Sequence, residues 1–94
     1  MPAQPAVIYR VHAALRMAER NISPFEVEHV ILEGEVAEHY DDDTPYPSRL
    51  LFSMVAGRPL HVVAAWNPDE QEWIVITAYS PDLERWHSDY KRRR

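Results

Sequence analysis

A chain of 94 residues with a net charge of −5, two glycines and no cysteine has room for one modest core, and it excludes disulfides, thiolate metal ligands and a cysteine nucleophile. Residues 91–94 are all basic, so the rest of the chain carries −9, which argues against broad, non-specific nucleic-acid binding but leaves room for a narrow basic site. No run approaches the roughly 18 apolar residues that a membrane helix needs, and MPAQPAVIYR lacks the basic start and apolar core of a secretory signal, so a cytoplasmic protein with no membrane partner is expected.

Residues 1–6 are expected to be disordered, with AVIYRV beginning as a short extended segment. A first helix is predicted over residues 9–19, because Val11, Ala14, Leu15 and Ala18 follow the 3.6-residue period and Ile22 continues it. Beside that stripe His12, Arg16 and Arg20 recur at four-residue steps, which makes His12 and Arg16 neighbours on one helix face. They suit an anion such as an RNA phosphate, and equally a structural pairing of Arg16 with Glu19 or Glu26 and packing of His12 at the helix–sheet seam. Asn21 can take the left-handed conformation that ends a helix. SPFE then opens a second helix, with Ser23 as N-cap, Pro24 at the first helical position and Glu26 completing a capping box; Gly34 ends it.

The remainder reads mainly as strand. EVAEHY alternates and is expected at a sheet edge, followed by the acidic, proline-bearing loop DDDTPYPS. RLLFSMVA, RPLHVVAAWN and EWIVITAY, separated by turn residues, predict an antiparallel meander covered on both faces. Near the C-terminus, Ser80–Pro81 followed by Leu83, Trp86 and Tyr90 at helical spacing predicts a short helix, and the basic tail at 91–94 is expected to fray. The fold class expected is therefore α+β: a single domain over residues 1–94, with two N-terminal helices packed on a four-stranded antiparallel sheet and a short C-terminal helix.

Strand alternation supplies the functional candidates. With Ile74, Ile76 and Ala78 under the helices, Thr77 and Tyr79 face away from them. The same parity puts His61 on that face, and places Arg49 there too by opposing it to Leu50, Phe52 and Met54. A cation, an imidazole and two hydroxyls are the ingredients of metal-free RNA cleavage: Arg49 for phosphate, His61 as general acid or base, and Thr77 and Tyr79 to orient substrate. The same residues also suit an ordinary wet sheet face. Trp66 and Trp86 are expected in the core, while Trp73 suits either core packing or base stacking.

No metal site and no cofactor are expected. The five histidines show no H-x3-H or HExxH spacing, and EHYDDD reads as a solvated loop. Two glycines cannot build a glycine-rich phosphate loop, and no GxSxG occurs.

The segments HAALRMAERNIS, VILEGEVAEHYDDDTPYPSRLLF, RPLHVVAAW and VITAYSPDLERW, in that order and spacing over residues 9–86, resemble the bacterial family known as domain of unknown function 4258. Its general look is similar to the RelE-like and BrnT-like toxins of toxin–antitoxin pairs, small α+β ribonucleases with helices on an antiparallel sheet. That resemblance implies RNA and an antitoxin as partners, and points to His12, Arg16, Arg49, His61, Thr77 and Tyr79. The chain departs from such toxins in its acidic body. The alternative expectation is a non-catalytic interaction module that binds a protein through the sheet face or by strand addition at EVAEHY.

Overall fold

The computed structural model describes residues 5–94. Its elements in chain order are β1 (Ala6–Tyr9), α1 (Val11–Glu19), α2 (Pro24–Glu33), β2 (Glu35–Tyr40), β3 (Ser48–Val55), β4 (Arg58–Asn67) and β5 (Glu72–Tyr79). They form one sheet in the order β1-β5-β4-β3-β2. Two corrections to the expected fold follow. The sheet has five strands and is mixed: Ala6–Tyr9 is a paired strand, parallel to β5, with Ala6 opposite Glu72 and Tyr9 opposite Val75. The C-terminal helix is absent. The disorder expected over residues 1–6 falls mostly outside the described residues, and Ala6 itself lies in β1.

Local chemistry explains the helix limits. Arg10 stays extended and donates its N–H to the Val75 carbonyl at 3.2 Å, so the chain is still bound to the sheet when α1 begins. Asn21, at φ 56°, closes α1, and the next amide, of Ile22, reaches back to the Met17 carbonyl at 2.9 Å. The capping box of α2 is complete: the Glu26 amide donates to Ser23 Oγ and the Ser23 amide donates to Glu26 Oε1. Gly34 ends α2 for a steric reason. Its φ is −76°, open to any residue, but a Cβ there would lie 2.4 Å from the Val30 carbonyl oxygen and 2.9 Å from that of Phe52. The β3–β4 turn does need left-handed backbone, at Ala56 (φ 51°) and Gly57 (φ 82°), the two-residue hairpin geometry that matches strand twist.

The helices cover one sheet face through Ala13, Met17, Val27 and Val30, which meet Leu51, Leu60, Val62, Ala64, Val75 and Ala78. The alternation on β5 does not run unbroken. A bulge between Val63 and Ala64 of β4 pairs Val63 with Thr77 and Ala64 with Val75, skipping Ile76. Ala78 therefore faces the helices together with Val75, while Ile74, opposite Ala65, joins the other face.

That other face is covered by residues 81–94, which lie across it as an irregular strap. Two separate turns form, with the Trp86 amide on the Asp82 carbonyl and the Tyr90 amide on the His87 carbonyl, and Tyr90 takes a left-handed φ of 57°. Trp86 is buried, and a bridge to Arg93 folds the strap on itself. The basic tail is not frayed. Lys91 pairs with Glu35 and Arg93 with Glu38, both on β2, while Arg92 pairs with Asp89. Arg94 donates to the Leu83 and Trp86 carbonyls.

Candidate functional site

His61 lies opposite Phe52 on β3 and Tyr79 on β5, on the strap side of the sheet, and it is fully buried. Trp86 stacks its ring edge-to-face on the imidazole with centroids 4.5 Å apart. Nε2 is 2.7 Å from the Tyr90 carbonyl oxygen, and Nδ1 is 3.2 Å from the Tyr79 hydroxyl. A carbonyl only accepts, so Nε2 carries the proton and donates. In the neutral ring Nδ1 is then the acceptor, and Tyr79 donates to it. Burial pushes the imidazole below its ordinary value of 6.5, which favours this neutral form, although the Tyr90 carbonyl opposes the shift. Burial likewise pushes the Tyr79 phenol above 10, so it stays protonated near neutral pH.

A charged cluster borders the pair. Arg93 donates from Nε to Glu38 Oε2 at 2.8 Å and from Nη2 to Oε1 at 3.1 Å, and its guanidinium lies 4.7 Å over the Trp86 ring. Tyr40 donates its hydroxyl to the same carboxylate. The Arg93 bonds hold the Glu38 carboxyl below its ordinary range; burial, followed by the hydrogen bond to Glu38, pushes the Tyr40 phenol up to about 12.

Tyr79 is half-buried, and its ring helps to wall a cleft of about 480 Å³ between the end of α1, the end of β5 and the strap. Arg20, Asp82, Arg85, Trp86 and Arg93 also line it. Arg20 donates Nη1 to the Ala78 carbonyl at 2.8 Å, which fixes the guanidinium and leaves its other donors free for a ligand. Among the described residues, neither Arg20 nor Arg85 has a carboxylate within ion-pair distance, and the Arg85 side chain has no hydrogen-bond partner. Two arginines freed from local pairing beside a phenol make an anion site of ordinary small-ligand size.

The six expected residues divide accordingly. His61 and Tyr79 are joined by a hydrogen bond. Thr77 shares their sheet face, opposite Val63, but is not part of the cleft wall. Arg49 is on the helix side: it pairs with Ala64, and its guanidinium lies 5.6 Å over the Trp73 ring. Arg49 follows Leu51, which packs under the helices while Leu50 and Phe52 go to the other face. His12 and Arg16 are both exposed on α1, with His12 away from the helix–sheet seam and Arg16 bonded to Glu19 at 3.0 Å. Arg20, whose spacing after Arg16 marked it, is the member of that row that reaches the cleft. Arg85 carried no signal, because a helical reading of the C-terminal segment gave it no fixed direction. Trp66 and Trp73 stack on each other at 5.1 Å, with Trp73 against the helix-side core. Among the described residues no three His, Asp or Glu side chains converge as metal ligands, and no helix is long and apolar enough to cross a membrane.

Fold and site together define a small α+β domain with two helices on one face of a mixed sheet, a C-terminal strap on the other, and an arginine-lined cleft where strap and helix meet. The model of the family described as Domain of unknown function (DUF4258) matches residues 9–80, and the chain belongs to that family. The matched region ends at Ser80, so the strap that completes the cleft lies beyond it. No curated protein and no solved structure gives a significant match.

Proposed function

We propose that the chain is a toxin-like, metal-independent ribonuclease that works at the mouth of the Tyr79 cleft. The observation that carries this reading is the hydrogen-bonded series Tyr79–His61–Tyr90 carbonyl, which ends beside two arginines without carboxylate partners. Arg20 and Arg85 hold the phosphodiester and offset the charge that gathers on its oxygens at the transition state. The ribose 2′-hydroxyl gives its proton to the Tyr79 oxygen while Tyr79 passes its own to His61 Nδ1. The 2′-oxygen bonds to phosphorus, and the 5′-oxygen leaves and takes a proton from water. The products are a 2′,3′-cyclic phosphate and a 5′-hydroxyl, and the imidazolium returns its proton to solvent through Tyr79. His61 is a positioning and proton-storing residue here, because it is buried behind Tyr79.

The test is cleavage of a labelled single-stranded RNA in the presence of a chelator, with the product ends identified by mass spectrometry. Cleavage by the native chain, at least about a hundredfold slower in Tyr79→Phe, is the expected result. No cleavage, or equal cleavage by Tyr79→Phe, overturns the reading.

A second reading is an interaction module using strand addition at β2. Its support is that β2 ends the strand order and pairs only with β3 among the described residues. The sheet-face version has no open face to use, since the strap covers one side and the helices the other. The edge reading holds if induced expression arrests growth equally for the native chain and Tyr79→Phe but not for Val36→Pro. It fails if Val36→Pro, shown to be folded, arrests growth as the native chain does.

A further inference from the structure

We infer that the cleft recognises one phosphate ester and its sugar, without reading the attached base and without following a nucleic-acid backbone. This deepens the ribonuclease reading and shares with it the placing of the ligand between Arg20 and Arg85.

Three observations limit the ligand. The first is charge. Apart from residues 91–94 the chain carries −9, and among those four Lys91, Arg92 and Arg93 already sit on Glu35, Asp89 and Glu38. Arg94, whose amide donates to the Arg85 carbonyl, donates its Nε–H to the Leu83 and Trp86 carbonyls, and the lip of the cleft carries Asp82, with Glu84 nearby in the chain. A duplex laid across this surface would set several phosphates against carboxylates, whereas a single phosphate meets only the two arginines. The second is size: about 480 Å³ matches a group of nucleotide dimensions. The third is the aromatic wall. Trp86 is buried between the His61 ring and the Arg93 guanidinium, so its faces are not available to stack a base. Tyr79 donates its hydroxyl proton to His61, so what its oxygen can offer a ligand is an acceptor, which suits a ribose hydroxyl.

The same chemistry is presented by a free nucleotide and by one position of an RNA single strand, and a titration series distinguishes the sources. Inorganic phosphate, uridine and adenosine monophosphates, a short single strand and a duplex of equal length are titrated by calorimetry at two salt concentrations fourfold apart. The two nucleotides are expected to bind within about threefold of each other, and the fourfold salt increase to weaken them by less than about tenfold, as one or two neutralised charges require. Arg85→Ala, which removes no hydrogen bond or ion pair of the fold, is expected to weaken binding at least about tenfold. Binding of the nucleotide but not of the single strand points to free nucleotide as the ligand, and equal binding of the two that does not extend to the duplex points to one position of RNA, whereas a gain of tenfold or more on the single strand overturns the inference. Tightest binding to the duplex with steep salt dependence overturns the inference, as does strong preference for one base, indifference to Arg85→Ala, or no binding of phosphate or nucleotide. Nucleotide binding without RNA cleavage would remove the ribonuclease reading and leave this one standing. Cleavage with affinity that grows on the duplex would do the reverse.

Discussion

Replacing His61 by alanine tests whether the strap is held by the imidazole. The side chain is fully buried between Phe52, Tyr79 and Trp86, so truncation leaves a cavity, and removal of a large buried side chain costs about 2–4 kcal/mol. It also strands the Tyr90 carbonyl and the Tyr79 hydroxyl, at about 1 kcal/mol or more unless water enters. A total of about 3–5 kcal/mol is a large part of the roughly 5–14 kcal/mol expected for a domain of this size. It corresponds to a fall in melting temperature of about 15–30 °C. Urea unfolding followed by tryptophan fluorescence reads both stability and strap release, because Trp86 is the nearest ring to His61. A loss under about 1 kcal/mol would refute the argument that this contact anchors the strap. The same residue sets a pH dependence. Burial holds the folded imidazole below 6.5, opposed by the Tyr90 carbonyl and the Glu38 charge and aided by the Arg93 charge. As pH falls through about 6.5 the unfolded chain takes the proton first, so stability declines below that point and levels only when the folded ring is protonated too. His61→Gln should abolish the decline in that window. Glu38, held below its ordinary range, contributes a separate loss at pH below about 4.5.

Gly34→Ala should destabilise by about 1–3 kcal/mol in the same urea assay, because its new methyl meets two backbone carbonyls that cannot move aside; an unchanged midpoint would show that the α2–β3 approach is looser than 2.9 Å. Arg49→Met should cost no more than about 1 kcal/mol, for the lost stacking on Trp73, and leave nucleotide binding intact; weakened binding would return Arg49 to the site. A chain ending at Ser80 uncovers Leu50, Phe52 and His61, so it should bind an apolar dye and self-associate, as light scattering would report; a monomer with native melting would mean that the strap is dispensable.

Local signals were readable in the sequence wherever one side chain answers one backbone need. Ser23, Pro24 and Glu26 announce α2, and Asn21 announces the end of α1. What escaped was set by distant partners. Four residues, Ala6–Tyr9, become a strand only because β5 offers them an edge more than sixty positions later. The skipped Ile76 exchanges the faces of Ile74 and Val75 yet leaves Thr77 and Tyr79 where simple alternation puts them, so His61 and Tyr79 still meet. On β3 nearly every side chain is apolar, and nothing local says whether Leu50 or Leu51 goes under the helices; Arg49 moved with that choice. At the C-terminus, Leu83, Trp86 and Tyr90 keep helical spacing, but a tryptophan buried against His61 and arginines drawn to Glu38 and the strap carbonyls stabilise an irregular path instead.

The pairing of β1 with β5 has a consequence for how the molecule is made. During synthesis the segment Ala6–Tyr9 emerges early and finds no neighbour, since the strand that receives it is translated after every other strand of the sheet. Helices α1 and α2 can nucleate on the ribosome, and α2 finds β3 and β4 as they emerge, but the oily underside of α1 waits for β5, which comes last. A nascent chain stalled before Glu72 would therefore present the apolar face of α1 and an orphan strand, a species for chaperones to hold rather than a partial native state.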